Sequence, residues 1–311
     1  MQRPSSGEKS KKQGEIMILI VGCGFLGSHL LNQILQTTNE DVLCVARNTK
    51  KSLLDPKAEL ITCDITDNNN LEKLARRCGN EPLTVFYFAA CHNIDLVYEK
   101  PELARQTNIV ALESFIAHLP NIKKLFFAST DCVYGEGKDR YFKFKETSPL
   151  LPINEYGRQK IEAEKIITNA GFNVVRLPFM LEASLSATPH FYDKIKDSLL
   201  NNETVEMIDG MYRSVLSYSQ VAKILLTLAQ LEEPIPPIIN VCSDNAFSKY
   251  EMGCIIAKNL NVPPSLIHKI SEDEGKKFFK DNRATNGGMD NTLVKSLLGI
   301  KTLNWEEEIC C

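Results

Sequence analysis

The chain has 311 residues, 43% of them apolar and 24% charged, and a formal net charge of −3. That is enough apolar material for one large domain or two closely packed ones. The near balance of charge excludes the basic footprint of a nucleic-acid binder or a polybasic membrane surface, and no apolar run approaches the roughly 18 residues that would span a bilayer.

The N-terminal stretch MQRPSSGEKSKKQGE is polar and basic with no apolar core. It is expected to be a disordered tail rather than a secretory signal. From residue 16 onward short apolar runs alternate with amphipathic stretches. IMILIV (16–21), DVLCVA (41–46), AELIT (58–62), LTVFYFAA (83–90), KKLFFAS (123–129) and NVVRL (173–177) are rich in β-branched and aromatic residues and too short for stable helices. Between them, FLGSHLLNQILQ, NNLEKLARRC, PELARQTNIVALESFIAHL and NEYGRQKIEAEKIITNAG carry helical patterns, the last closing at Gly171. This alternation predicts an α/β fold, a Rossmann-type doubly wound parallel sheet covered on both faces.

After Pro178 the rhythm changes. Helices are expected near HFYDKIKDSLLNN, YSQVAKILLTLAQ, SKYEMGCIIAKNL and DNTLVKSLLG, with strands only at VEMI and IINV (238–241). The expected organisation is a tail (1–15), an NAD(P)-binding domain (16–178) and a smaller, mainly substrate-binding cap (179–311), with strand 238–242 returning to the sheet. The ten cysteines include no C-x-x-C pair and no cluster with histidine at zinc spacing. No metal site is expected, and the pattern is that of a reduced, cytoplasmic protein. The terminal Cys310–Cys311 has the form of a prenylated double cysteine, but EEE precedes it instead of a basic patch, so no membrane anchor is expected.

The turn VGCGFLGSHLL joins the first strand to the first helix, with Gly22, Gly24 and Gly27 at G-x-G-x-x-G spacing. In this context the first glycine permits the tight turn, the second lets backbone approach a pyrophosphate, and the third lets helix and strand pack closely. An NAD site usually has an acid at the end of the second strand to hold the ribose 2′-hydroxyl. Here Arg47 stands there, with Lys50 and Lys51 behind it. A guanidinium suits a 2′-phosphate, so NADP is expected, with NAD the alternative. Asp64, ending the third strand, is placed to accept from the adenine amine or else to cap the next helix.

Tyr156 and Lys160 lie four apart in a helical pattern, on one face. A phenol is a weak acid–base catalyst at neutral pH; an adjacent ammonium, together with a nicotinamide cation, is expected to lower its pKa. Thr130, at the carboxyl end of the fifth strand, is placed to donate to the same substrate oxygen that Tyr156 protonates.

GCGFLG, FAA (88–90), STDCVYG (129–135), YGRQK (156–160), VVRLP (174–178) and INVCSDNAFSKYEM resemble the extended short-chain dehydrogenase/reductases, of the NAD-dependent epimerase/dehydratase type. The resemblance runs from about Met17 to the end. It implies that Thr130, Tyr156 and Lys160 are the catalytic trio, Lys160 also holding the nicotinamide ribose. It places Ala89, Ala90 and Pro178 along the cofactor and Asn108 on the helix supporting the site. Phe25, Leu26 and Ile65 join the same cofactor set. The extended group usually spaces its glycines G-x-x-G-x-x-G, so this shorter turn resembles divergent members.

Sugar 4,6-dehydratases of that group read S-T-D-E-V-Y-G and use Asp and Glu to eliminate water. Here Asp131 remains but Cys132 replaces the glutamate, and a thiol is a poor substitute at pH 7. His92 is expected to face the cleft, or else to be a buried structural histidine. Arg213 lies where relatives hold a substrate diphosphate, if it is not merely a surface residue. The expected function is Tyr–Lys–Thr-assisted hydride transfer to a carbonyl or from a secondary alcohol, the candidate substrate being a nucleotide sugar and the candidate assembly a homodimer. The alternatives are a non-catalytic dinucleotide-binding regulatory protein and a sugar-nucleotide dehydratase. The complete trio favours an enzyme.

Overall fold

The structure, a computed structural model, describes residues 17–47, 58–185 and 188–306. The expected N-terminal tail, Lys50, Lys51 and Cys310–Cys311 lie outside the described residues.

The first half alternates as its apolar runs require. Strands β1 (Met17–Val21), β2 (Val42–Ala46), β3 (Glu59–Thr62), β4 (Leu83–Tyr87), β5 (Ile122–Thr130) and β6 (Asn173–Leu177) enclose α1 (Phe25–Thr37), α2 (Asn68–Cys78), α3 (Ile94–Glu99), α4 (Pro101–Arg105), α5 (Ala111–His118) and α6 (Glu155–Asn169). All neighbouring strands pair in parallel. Side chains alternate across the sheet as strand geometry dictates. Ile18, Ile20 and Cys44 face one apolar core with Leu30 and Ile34 of α1; Leu19, Val21 and Val45 face the other with Leu71 of α2 and Phe115 of α5.

Then come β7 (Phe179–Met180), α7 (Phe191–Leu200), β8 (Val205–Ile208), β9 (Tyr212–Leu216), α8 (Tyr218–Gln230), β10 (Ile238–Asn240), β11 (Ala246–Ser248), α9 (Lys249–Asn259), β12 (Ile267–Ile270), α10 (Glu272–Lys276), β13 (Asn286–Gly287) and α11 (Thr292–Leu298). β10 extends the first sheet, giving the seven-stranded order β10-β6-β5-β4-β1-β2-β3. α8 packs on α1. The order reverses between β1 and β4, and a crevice opens beyond the carboxyl ends of such strands. A four-stranded sheet built on β9, with a separate β8–β12 pair, closes over that crevice.

Two features differ from expectation. Residues 101–119 are not one regular helix: a π turn over Gln106–Val110 separates α4 from α5. The wide turn places Asn108 inward, where its carboxamide accepts from Cys91 N (2.8 Å) and donates to Cys91 O (3.1 Å) and to Gln159 Oε1 (3.0 Å). Among the described residues the second half also holds five strands beyond the two expected: β7, β11 and β13, only two or three residues long and without periodicity, and β9 and β12, of five and four residues. Among the described residues no helix is long and apolar enough to cross a membrane, and no group of three or more His, Cys, Asp or Glu could hold a metal ion.

Candidate functional site

A cleft of about 810 Å³ runs along the carboxyl edge of the sheet, between it and the cap strands. The glycine turn lies at one end. Gly22 has φ +101°, and a Cβ there would come 2.6 Å from Ala89 N; a Cβ at Gly27 would collide with the Gly22 carbonyl. A side chain at Gly24, by contrast, would meet nothing within 4 Å, since it faces the open cleft. No side chain caps the start of α1, and its first turn carries no acid. An uncapped helix N-terminus behind a bare glycine backbone fits a phosphate-bearing ligand.

Phe25 and Leu26 of that first turn line the same wall. Arg47 is exposed at the end of β2, on the cleft, with Asp64 and Ile65 beyond it. Asp64 does not cap α2; Asp67 does, accepting from Asn69 N. The Asp64 carboxylate accepts from Thr66 N (3.0 Å) and Thr66 Oγ1 (2.7 Å), which hold its pKa below the usual range. Ala89, Ala90 and Pro178 line the floor.

The trio meets where β5 ends. Asn154 caps α6, its side chain accepting from Gly157 N at 2.8 Å. Gly157 presses on the Cys132 carbonyl so closely that no side chain would fit. That approach sets Tyr156 beside the 130–132 turn. Lys160, one turn on, donates from Nζ to Ala128 O at 2.6 Å, 4.1 Å from the Phe127 ring centroid and 6.0 Å from that of Tyr156. Burial pushes the Lys160 ammonium down to about 7, opposed by Glu164.

The expected lowering of the phenol pKa by Lys160 does not occur with the protein's own groups. Burial, then Cys132 and Asp131, push Tyr156 upward, because the ammonium is drawn to the Ala128 carbonyl while acidic groups flank the ring.

Asp131 is the hub of the turn. Thr130 Oγ1 donates to it at 3.1 Å, the Cys132 thiol at 3.5 Å, and Arg213 Nη1, reaching across from β9, at 2.7 Å. Thr130 Oγ1 also accepts from Cys132 N at 3.2 Å. Arg213 thus lines the cleft but is already paired rather than standing free for a diphosphate, and it lies 3.7 Å from Cys132 Sγ. Burial and Asp131 raise the Cys132 thiol pKa, so at neutral pH it keeps its proton. His92 lies outside the core, on the cleft with its edge in solvent, and desolvation by the surrounding atoms, then the charge of Lys160, lowers its pKa.

Sequence reasoning missed two cleft cations, Lys249 at the start of α9 and Arg283 just before β13. The available signal was a lysine at the first position of a helix, where the macrodipole favours acids.

A family profile described as the RmlD substrate binding domain matches residues 16–310. Among curated proteins, methionine adenosyltransferase 2 subunit beta of Xenopus tropicalis is 29% identical over 203 residues, 62% of this chain and 59% of that protein. The match to that relative therefore spans less than two thirds of its length. UDP-glucose 4-epimerase of Lactobacillus helveticus is 30% identical over 155 residues, 49% of this chain and 46% of that one. Among solved structures, dTDP-glucose 4,6-dehydratase of Streptomyces venezuelae with NAD and TYD bound superposes with a TM-score of 0.77 at 19% identity, covering 94% of each chain. With the profile covering nearly its whole length, the chain belongs to the RmlD substrate-binding-domain family, within the extended short-chain dehydrogenase/reductases of the epimerase/dehydratase type.

Proposed function

We propose that this protein is an NAD(P)-dependent reductase or epimerase acting on a carbonyl or secondary alcohol of a nucleotide sugar. The observation that carries this reading is the convergence of Thr130, Tyr156 and Lys160 on a cleft whose other end is the bare glycine turn. A nicotinamide dinucleotide bound there supplies reversible two-electron chemistry. Gly22, Gly24 and the start of α1 would hold its phosphates, Arg47 and Asp64 its adenosine end, and Ala89, Ala90, Lys160 and Pro178 its nicotinamide end. Tyr156 keeps its proton at neutral pH and is placed to give it to a carbonyl oxygen, as reduction requires. Elimination of water is disfavoured, because Asp131 is engaged by Arg213 and Cys132 is a protonated thiol. The division into a cofactor domain (16–178) and a cap is part of the reading, supported by the position of the cleft between them. So is a cytoplasmic location, supported by the lack of a disulfide among the described cysteines.

The test is a cofactor balance with nucleotide sugars. Net NADPH consumption on a 4-keto sugar marks a reductase, and conversion without net change marks an epimerase. Loss of water from a nucleotide hexose at ~1 per second or faster would refute the reading of Asp131 and Cys132.

Cofactor choice gives a second expected outcome. NADPH should bind more tightly than NADH, and Arg47→Ala should narrow the gap by about 1–2 kcal/mol, the scale of a charge-assisted contact at an exposed site. Calorimetry finding NADH preferred would reverse the assignment.

A second reading is a regulatory dinucleotide-binding subunit. Its support is the likeness to methionine adenosyltransferase 2 subunit beta of Xenopus tropicalis and the commitment of the Thr130 proton to Asp131. It predicts cofactor binding with no turnover across the whole sugar panel.

A further inference from the structure

Three cations of the cap face the cleft: Arg213, Arg283 and Lys249. Two are matched. Arg213 pairs with Asp131, and Arg283 Nη2 donates to Asp95 Oδ1 at 2.8 Å. Asp95 also accepts from Lys280 N (3.0 Å) and Asp281 N (3.2 Å), so the Arg283 contact belongs to a fixed junction between α3 and the cap. Lys249 has no carboxylate partner among the described residues. Its ammonium lies 5.1 Å from the centroid of Phe191 and 5.6 Å from that of Phe279, contacts that offset only part of its desolvation.

The position is unfavourable for a lysine on three counts. It is the first residue of α9, where the helix dipole repels a cation. The side chain is half-buried. Burial, and after it the charges of Arg213 and Arg283, push its pKa down to about 8. The helix start does not need it, since Ser248 and Glu251 already form the capping box. A cation kept where the protein does not neutralise it, inside the binding cleft, is one whose partner arrives with the ligand.

We propose that Lys249 is a specificity-determining residue that takes an anionic group of the substrate, an inference that rests on the nucleotide-sugar reading above and deepens it. The two arginines are held by Asp131 and Asp95, so among the cap cations that line the cleft Lys249 is the one without a carboxylate partner among the described residues. Its compact ammonium suits phosphate or carboxylate oxygens, and Phe247 and Met252 beside it give an apolar wall for the rest of the ligand.

The experiment is calorimetric titration of the full chain and of Lys249→Gln and Lys249→Arg with UDP, dTDP, UDP-glucose and UDP-glucuronate. Lys249→Gln is expected to weaken the ligands by about 10- to 100-fold, the scale of a charge-assisted hydrogen bond, with NADPH affinity unchanged and most affinity kept by Lys249→Arg. Weakening of all four ligands assigns the contact to the diphosphate. Weakening of UDP-glucuronate alone assigns it to a sugar carboxylate. If the unmodified protein binds nucleotides and Lys249→Gln binds them equally well, the proposal is overturned while the nucleotide-sugar reading stands. If the unmodified protein binds none of them, both fall.

Discussion

Tyr156→Phe is expected to reduce turnover at least ~100-fold, the usual scale for losing a general acid, while leaving cofactor affinity and stability nearly unchanged. The geometry explains why the loss should be confined to chemistry. The phenol hydroxyl makes no hydrogen bond to another described residue, so phenylalanine leaves no partner unsatisfied. The ring packs with Val97, Ala104 and Cys132, contacts a phenylalanine keeps. Lys160 is anchored to Ala128 O rather than to the hydroxyl, so its position does not depend on Tyr156. Steady-state kinetics on whichever sugar the cofactor balance identifies would check this, with a thermal melt of the variant as control. Unchanged turnover would remove Tyr156 from the mechanism and leave the regulatory reading in possession of the site.

The parts of this molecule legible in its sequence are those set by local rules. Strands buried on both faces read as unbroken apolar runs, so β1, β2, β4, β5 and β6 could be placed to within a few residues. The glycine turn is a backbone requirement and leaves its mark at Gly22 and Gly27, where nothing larger fits. Tyr156 and Lys160 are neighbours because a helix makes residues four apart neighbours. What escaped was long-range. Arg213 meets Asp131 across 82 positions of chain, and Arg283 meets Asp95 across 188, so no spacing rule could pair them. The same pairings leave Lys249 as the odd one among the cap cations on the cleft, which makes its proposed role a property of the folded cleft and not of the segment SKYEM. The direction of the Tyr156 pKa escaped for a related reason. Whether its neighbour's ammonium or its own burial wins depends on where Lys160 Nζ is held, and a carbonyl of β5 holds it.

Directly behind that lysine lies the contact whose loss should cost the fold most. Arg176 of β6 and Glu164 of α6 are both buried, paired through Nε–Oε1 (3.0 Å) and Nη2–Oε2 (2.7 Å). Ser129 Oγ donates to the same carboxylate at 2.5 Å; Arg176 Nη1 donates to Tyr134 OH (2.8 Å) and Glu146 O (3.2 Å), and Tyr134 OH to Asn240 Oδ1 (2.6 Å). The network joins β5, β6, β10 and α6. Burial works to discharge Arg176, and Glu164 more than offsets it, holding the guanidinium above its ordinary pKa. Glu164→Ala removes the carboxylate and leaves a buried guanidinium with neutral partners only, a change that costs about 3–5 kcal/mol in comparable sites. Against a total stability of about 5–15 kcal/mol, that should move the urea midpoint far downward with little change in slope. The double variant Glu164→Leu/Arg176→Met should recover much of the loss, because it removes both charges and with them the desolvation that made the pair necessary. A Glu164→Ala midpoint within experimental error of the unmodified protein would mean that Arg176 is not held as a buried cation at all. Glu164 is also the group that opposes the discharge of Lys160, so the stability of this strand–helix junction and the charge beside Tyr156 depend on one carboxylate.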